Sequence, residues 1–386
     1  MKHARSGSVA RRAAAAAALA SAVGLAVVGC GGCSSEPEFP PSLAFPARAD
    51  RLVLKLPEKP PAGENTVYGR DAEIAALDSL GGKTLDPAAI PAESRAKLDA
   101  FLAETFGTPA APKALSESLR LTEEHLAEGS RLYRRKCQQC HNLTGDGRGP
   151  SGATVPFPRD YRQGAFKFVT SGEAMKPRRA DLLQTLHNGL KGTAMPSFSL
   201  LQEGERDLLA GYATYLAIRG QVEFEGLKAL AEGKETDPAA RVKEIVSEWE
   251  KAEAAPPLPK EPADGEPGSP TFGEAVRRGF ALFTKKEENS CVSCHEDFGR
   301  KPVLRYDVWG TVAKPANLTE PHLKAGKESA DLYARVRFGI APVGMPAHPP
   351  AKYSDRDVWD LVRFVQSAPY RDRLPPEVRA AVYPNP

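Results

Sequence analysis

Two short clusters carry the most distinctive chemistry of this chain: Cys137-Gln138-Gln139-Cys140-His141 and Cys291-Val292-Ser293-Cys294-His295. Between them they hold four of its six cysteines. A Cys-x-x-Cys-His run is the attachment motif of a c-type haem. Each thiol adds across one vinyl group, and two intervening residues let one turn of chain span both vinyls. The adjacent histidine then lies under the ring and offers iron a neutral nitrogen suited to both oxidation states. A redox dithiol or a disulfide needs no histidine next door. A zinc site made by all four cysteines is the remaining alternative, but each motif has its own downstream methionine. The expectation is two covalently bound haems, held by Cys137, Cys140, Cys291 and Cys294, with His141 and His295 on the irons.

The surrounding sequence repeats. Ala180-Asp181-Leu182, Gly189-Leu190 and Met195-Pro196 answer to Ala330-Asp331-Leu332, Gly339-Ile340 and Met345-Pro346, at a constant offset of 150. Gly129 and Tyr133 answer to Gly279 and Phe283 at the same offset. This is one fold used twice. Met195 follows His141 by 54 residues and Met345 follows His295 by 50. A methionine in isolation is usually core packing. The repeat and the paired Met-Pro make Met195 and Met345 the expected sixth ligands, and thioether ligation raises the potential of a haem. Met175 has no counterpart and is read as packing. His187, His322 and His348 are read as ordinary histidines, with His348, three residues past Met345, the main rival ligand.

The elements that position these residues follow from periodicity and caps. Thr122 begins a helix running to about Lys136, with Glu123 and Glu124 in its first turn, where the dipole favours acids. Leu208, Leu209, Tyr212 and Leu216 share one face of a helix over Glu203–Ala217. Shorter helices fit Asp71–Leu80 and Pro91–Phe106. Residues 221–253 are charged and helical in pattern. Pro256, Pro257, Pro259, Pro262, Pro267 and Pro270 then give a semi-rigid linker.

The amino terminus reads as an export signal. Lys2, Arg5, Arg11 and Arg12 precede an apolar run from Ala13 to Val28, which is 16 residues and short of the ~20 that span a bilayer. It ends in Val27-Val28-Gly29-Cys30, which resembles the lipobox of bacterial lipoproteins and implies lipidation of Cys30. Cys33 has no evident partner. The formal charge of +3 falls near neutrality once the four signal cations are removed. No basic stripe with interleaved aromatics appears, so nucleic acid is excluded as an expected partner.

The whole pattern resembles the class I cytochrome c family twice over, across residues 122–220 and 271–370. The resemblance implies an all-α fold of two tandem cytochrome c domains, with a mostly irregular, short-helical N-terminal extension. It implies a first helix crossing a last helix through a glycine–aromatic contact, here Gly129/Tyr133 with Tyr212 or Tyr215, and Gly279/Phe283 with Phe364. It also implies a proline carbonyl that orients the imidazole, a role that Pro150 fits and Pro302 fits less closely. Arg159, Tyr161 and Trp309 either bind haem propionates or close a loop over the haem edge. The expected organisation is a signal peptide over 1–29, an extension over 30–120, domains over 121–220 and 271–370, a linker over 221–270 and a tail over 371–386.

The function expected is one-electron transfer on the periplasmic face of a bacterial membrane, with redox proteins as partners, a lipid anchor and no small organic substrate. A cytochrome subunit of a membrane respiratory complex is the alternative. A dihaem peroxidase would need an open iron, which two equivalent methionines argue against.

Overall fold

The computed structural model describes residues 38–60, 70–263, 265, 267–287 and 290–384. The expected signal segment, Cys30 and Cys33 lie outside them. The described residues are mainly helical, with three two-stranded sheets. Residues Phe39–Pro386 form one compact unit.

The extension begins with β1 (Leu52–Lys55), which pairs antiparallel with β2 (Lys83–Leu85). Between them lies α1 (Arg70–Ala76), shorter than the expected Asp71–Leu80. It gives way to a 3-10 turn at Asp78–Leu80, from which the Asp78 carboxylate accepts the Thr84 N–H and hydroxyl at 2.6 and 2.7 Å and so ties the turn to β2. The helix α2 (Ala92–Phe106) matches expectation and buries Leu98, Leu102 and Phe106 in the core of the first domain. The Tyr215 hydroxyl donates to the Phe106 carbonyl there.

The first domain starts at α3 (Glu123–Lys136), capped by the Thr122 hydroxyl, which accepts the His125 N–H at 3.2 Å. Its last turn carries Arg134, Arg135 and Lys136, so charge complements the dipole at both ends. A single further turn, α4 (Gln138–His141), carries the first motif. The helix α5 (Arg179–Asn188) follows, its first turn tied by the Asp181 carboxylate to the Arg178 N–H at 2.9 Å.

The next helix, α6 (Glu203–Ala231), runs well past the expected Ala217. The two glycines beyond Ala217 are close-packing positions, not breaks. A Cβ on Gly220 would stand 2.5 Å from Arg162, and one on Gly226 would stand 3.0 Å from Leu98. After it, α7 (Pro238–Glu253) begins under an Asp237 cap, where the carboxylate accepts the Ala240 N–H at 3.0 Å. Val222, Leu227, Ile245 and Trp249 are buried in the first core. The expected boundary at residue 220 therefore falls inside a helix. Residues 221–253 complete the first domain instead of linking it to the second.

The second domain comprises α8 (Phe272–Thr284), α9 (Ser329–Phe338), α10 (Asp355–Ser367) and α11 (Pro376–Val382). The last of these lies in the expected tail, yet Val378 and Val382 are buried in the second core. Small antiparallel pairs fill the middle: β3 (His295–Glu296) with β4 (Lys301–Pro302), and β5 (Arg305–Tyr306) with β6 (Val312–Ala313).

Both domains use the expected helix crossing. α3 meets α6 at Gly129, where a Cβ would lie 2.7 Å from the Leu208 carbonyl oxygen, and α8 meets α10 at Gly279, where it would lie 2.0 Å from that of Asp360. The aromatic partners are Tyr133 with Tyr212, ring centroids 5.1 Å apart, and Phe283 with Phe364 at 5.2 Å. The first crossing fixes the end of α3, and so the start of the motif at Cys137; in the second domain six residues separate the end of α8 from Cys291.

Candidate metal centres

The first centre is built from the end of α3 outward. Cys137 breaks the helix at φ −122° and starts α4, which places Cys140 and His141 one turn later. Cys137 is buried and Cys140 partly so, and both are free thiols. Burial pushes the Cys137 thiol up to about 12. His141 is 7% exposed. Burial pushes its imidazole down to about 4, outweighing the hydrogen bond to Arg159, which acts the other way. The ring is therefore neutral, the form that binds metal.

One ring nitrogen of His141 is already committed. Nδ1 lies 3.1 Å from the Arg159 carbonyl oxygen, and the ring stacks on Tyr161 at 4.8 Å. A carbonyl at Nδ1 requires the proton there and leaves Nε2 free to ligate a metal. The loop that supplies this carbonyl is fastened at several points. The Tyr161 N–H donates to the Gly145 carbonyl at 2.8 Å. Gly145 has φ +76°, and a Cβ there would strike the Tyr161 ring at 2.6 Å, so only glycine fits. Arg70, from α1 of the extension, donates to the carbonyls of Asp146 and Pro158 at 2.9 and 2.8 Å. The extension thus braces the loop that orients His141.

The second centre repeats the arrangement with different local structure. Cys291–Ser293 form a 3-10 turn where the first motif has an α-helical one. Cys291 and Cys294 are again free, and burial raises the Cys291 thiol to about 11. His295 Nδ1 lies 3.0 Å from the Ala316 carbonyl oxygen. Burial lowers its pKa, against that hydrogen bond. Two residues past the acceptor, the Leu318 N–H donates to the Phe298 carbonyl at 2.9 Å, as Tyr161 does to Gly145 in the first domain.

These acceptors correct the sequence expectation. The carbonyl that receives each imidazole belongs to Arg159 or Ala316, not to Pro150 or Pro302. The N–H groups of Gly147, Gly149 and Ser151 cap the carbonyls of His141, Cys140 and Gln139 at 3.1, 3.1 and 2.7 Å. That folds the Gly145–Ser151 loop onto α4 and leaves Pro150 exposed at its end. Pro302 is the backbone partner of His295 across β3 and β4. A sequence signal for the true acceptors does exist: each directly follows a proline, Pro158 or Pro315.

The two methionines sit in matching loops. The Leu190 N–H donates to the Met195 carbonyl at 3.1 Å, and the Ile340 N–H to that of Met345 at 3.0 Å. Gly189 and Gly339 open these loops at φ +65° and +69°, and a Cβ on either would strike the following Met-Pro segment at 2.4–2.7 Å. Both methionine side chains are partly exposed. His348 is buried beneath α9, with Nδ1 3.0 Å from the Val336 carbonyl and its N–H bonded to Arg337 at 3.0 Å. His187 and His322 are exposed, and Met175 is partly buried beside Gly172.

The donor set suits iron. Each histidine presents one neutral nitrogen, and the four thiols are neither paired nor gathered. Among the described residues, no group of three or more His, Cys, Asp or Glu side chains converges as an ion site, so the zinc alternative finds no cluster there.

Residues 124–212 and 274–365 each match the family model for cytochrome c oxidase, cbb3-type, subunit III. No curated protein matches the chain. Among solved structures, a chain of the Kuenenia stuttgartiensis reducing HAO-like protein complex Kustc0457/Kustc0458 is similar at 24% identity, with a TM-score of 0.46, over 67% of this chain and 98% of that one. With the two family matches falling on the two repeats, the chain carries two tandem all-α domains of the cytochrome c type, which imply haem iron.

Proposed function

We propose that this protein is a dihaem electron carrier, exported and held at the periplasmic face of a bacterial membrane by a lipid on Cys30, which passes single electrons between redox proteins. The observation that carries this reading is the duplicated centre, in which an imidazole bonded through Nδ1 to a backbone carbonyl follows two free thiols and is paired in sequence with a fixed Met-Pro loop. Cys137 and Cys140 would hold one haem covalently, with His141 and Met195 on its iron. Cys291, Cys294, His295 and Met345 would hold the other. The bound haem supplies a one-electron ferric–ferrous couple. The chain itself excludes water from His141, fixes its tautomer and sets each methionine's loop. Were Met195 and Met345 both to bind iron beside the histidines, neither haem would offer a substrate a free position, which favours a carrier over a peroxidase.

Subunit membership in a respiratory complex is the second reading, favoured by the match to subunit III of cbb3-type oxidases. Among the described residues no helix is long and apolar enough to cross a membrane, so the lipid anchor would supply the attachment in either case.

The test is haem stoichiometry under denaturation. Two haems per chain should survive a denaturing gel, and Cys137→Ser should remove one and leave the other. A native ferrous protein that binds carbon monoxide rapidly at one haem would replace the carrier with an enzyme, and zinc in place of iron would end the reading altogether.

A further inference from the structure

We propose that Trp309, contributed by the second domain, is a positioning residue for the first domain's axial histidine, His141, and so ties the redox poise of one centre to the packing of the other. This rests on the reading of His141 as an iron ligand.

The chain of contacts is short. Arg159 touches both sides: its carbonyl accepts His141 Nδ1, and its guanidinium lies over the Trp309 ring, 3.7 Å from the centroid. The Trp309 indole N–H donates to the carbonyl of the next residue, Asp160, at 3.0 Å. Trp309 thus grips the Arg159-Asp160 peptide segment from its side chain and its backbone at once. The indole is 5% exposed, so its N–H has no solvent to turn to if the Asp160 carbonyl moves.

The gripping loop is itself rigid. Asp307, 3% exposed, accepts the N–H groups of Trp309 and Thr311 at 3.2 and 3.0 Å and the Thr311 hydroxyl at 2.9 Å. Lys167 of the first domain reaches Asp307 at 3.5 Å, and Arg159 at 3.9 Å. Gly310, at φ +82°, is packed so that a Cβ would stand 2.8 Å from Leu77 and 3.0 Å from Val53 of the extension. The loop between β5 and β6 is therefore clamped from three sides, with Trp309 fixed against Arg159. The second centre lacks this device: its acceptor, Ala316, has only a methyl side chain, too short for a second domain to grip as Trp309 grips Arg159.

A hydrogen bond from Nδ1 raises the basicity of the ligating nitrogen and favours ferric iron. Loosening the Arg159 carbonyl should therefore favour the ferrous form at the first centre. The measurement is a potentiometric titration of the intact protein, with Met195→His and Met345→His marking which wave belongs to which centre. Trp309→Leu should raise the first centre's wave by about threefold in the ferrous/ferric ratio, about 28 mV at 59 mV per tenfold for one electron. Trp309→Phe, which keeps an aromatic face for Arg159 and loses the N–H bond, should raise it by less and serves where the leucine variant fails to fold. Arg159→Lys should move the same wave upward, and the double variant with Trp309→Phe should shift it by less than the sum. A first-centre wave that stays in place, or two waves that move together, overturns the proposal. If the wild type shows fewer than two haems, the carrier reading fails first, and the two failures remain distinct.

Discussion

Gly279 faces the backbone of Asp360 so closely that a Cβ at position 279 would stand 2.0 Å from the Asp360 carbonyl oxygen. At the equivalent crossing, a Cβ on Gly129 would keep 2.7 Å from Leu208. Both clashes are with helix backbone, which cannot swing aside as a long side chain does. Gly279→Ala should therefore destabilise the second domain by about 2–3 kcal/mol, and Gly129→Ala the first by less. Chemical unfolding followed by near-UV circular dichroism reads both. Equal or negligible losses would mean the helices separate more freely than this packing requires.

Replacing either methionine by histidine should lower the potential of a single haem. Imidazole stabilises ferric iron relative to thioether, and axial ligation is a main control on a range of about 0.8 V. Met195→His and Met345→His should each shift one wave downward, on the order of 0.1 V, and leave the other nearly in place. Loss of the weak far-red sulfur–iron band, by half in each variant, checks the assignment independently. An unchanged band in Met345→His would point to another ligand there.

The extension is fastened to the first domain by charge. Arg162, 2% exposed, donates to Asp50 at 2.7 and 2.9 Å and to Asp160 at 2.7 Å. Burial pushes the Asp50 carboxyl up, but Arg48 and Arg162 together hold it well below the usual carboxylate range. A carboxylate depressed in the folded state stabilises the fold above its ordinary pKa of 3.8 and loses that contribution as pH falls further. Asp50→Asn should therefore cost about 3–5 kcal/mol at neutral pH, because it leaves buried arginines under-compensated. The penalty should shrink in acid, below the ordinary carboxylate range. A penalty constant down to pH 2 would contradict this account.

Cys30 lies outside the described residues, so its role is tested directly. Cys30→Ser should abolish membrane association and yield a soluble or unprocessed protein with both haems in place. Stable anchoring requires more than a single acyl chain, so mass spectrometry of the native amino terminus should find several. An unmodified terminus beyond Cys33 would leave the haem chemistry untouched and remove the anchor.

By itself the sequence determined whatever depends on local spacing and on duplication. A motif of five residues is read from identity alone, and a repeat at constant offset pairs Met195 with Met345, Gly129 with Gly279 and Tyr133 with Phe283. Local signals also placed the helix starts, because caps such as Thr122 act over three residues. Tertiary structure decided what depends on long loops. The carbonyls that orient His141 and His295 lie 18 and 21 residues downstream, in irregular chain whose course no periodicity encodes, and Pro150 and Pro302 gave way to Arg159 and Ala316 for that reason. Residues 221–253 read as a charged helix, yet Ile245 and Trp249 find a core to fill. The Trp309–Asp160 hydrogen bond joins residues 149 apart. Such a contact exists only once two separately encoded domains pack together, and its energy comes from excluding water at a surface that neither repeat specifies alone.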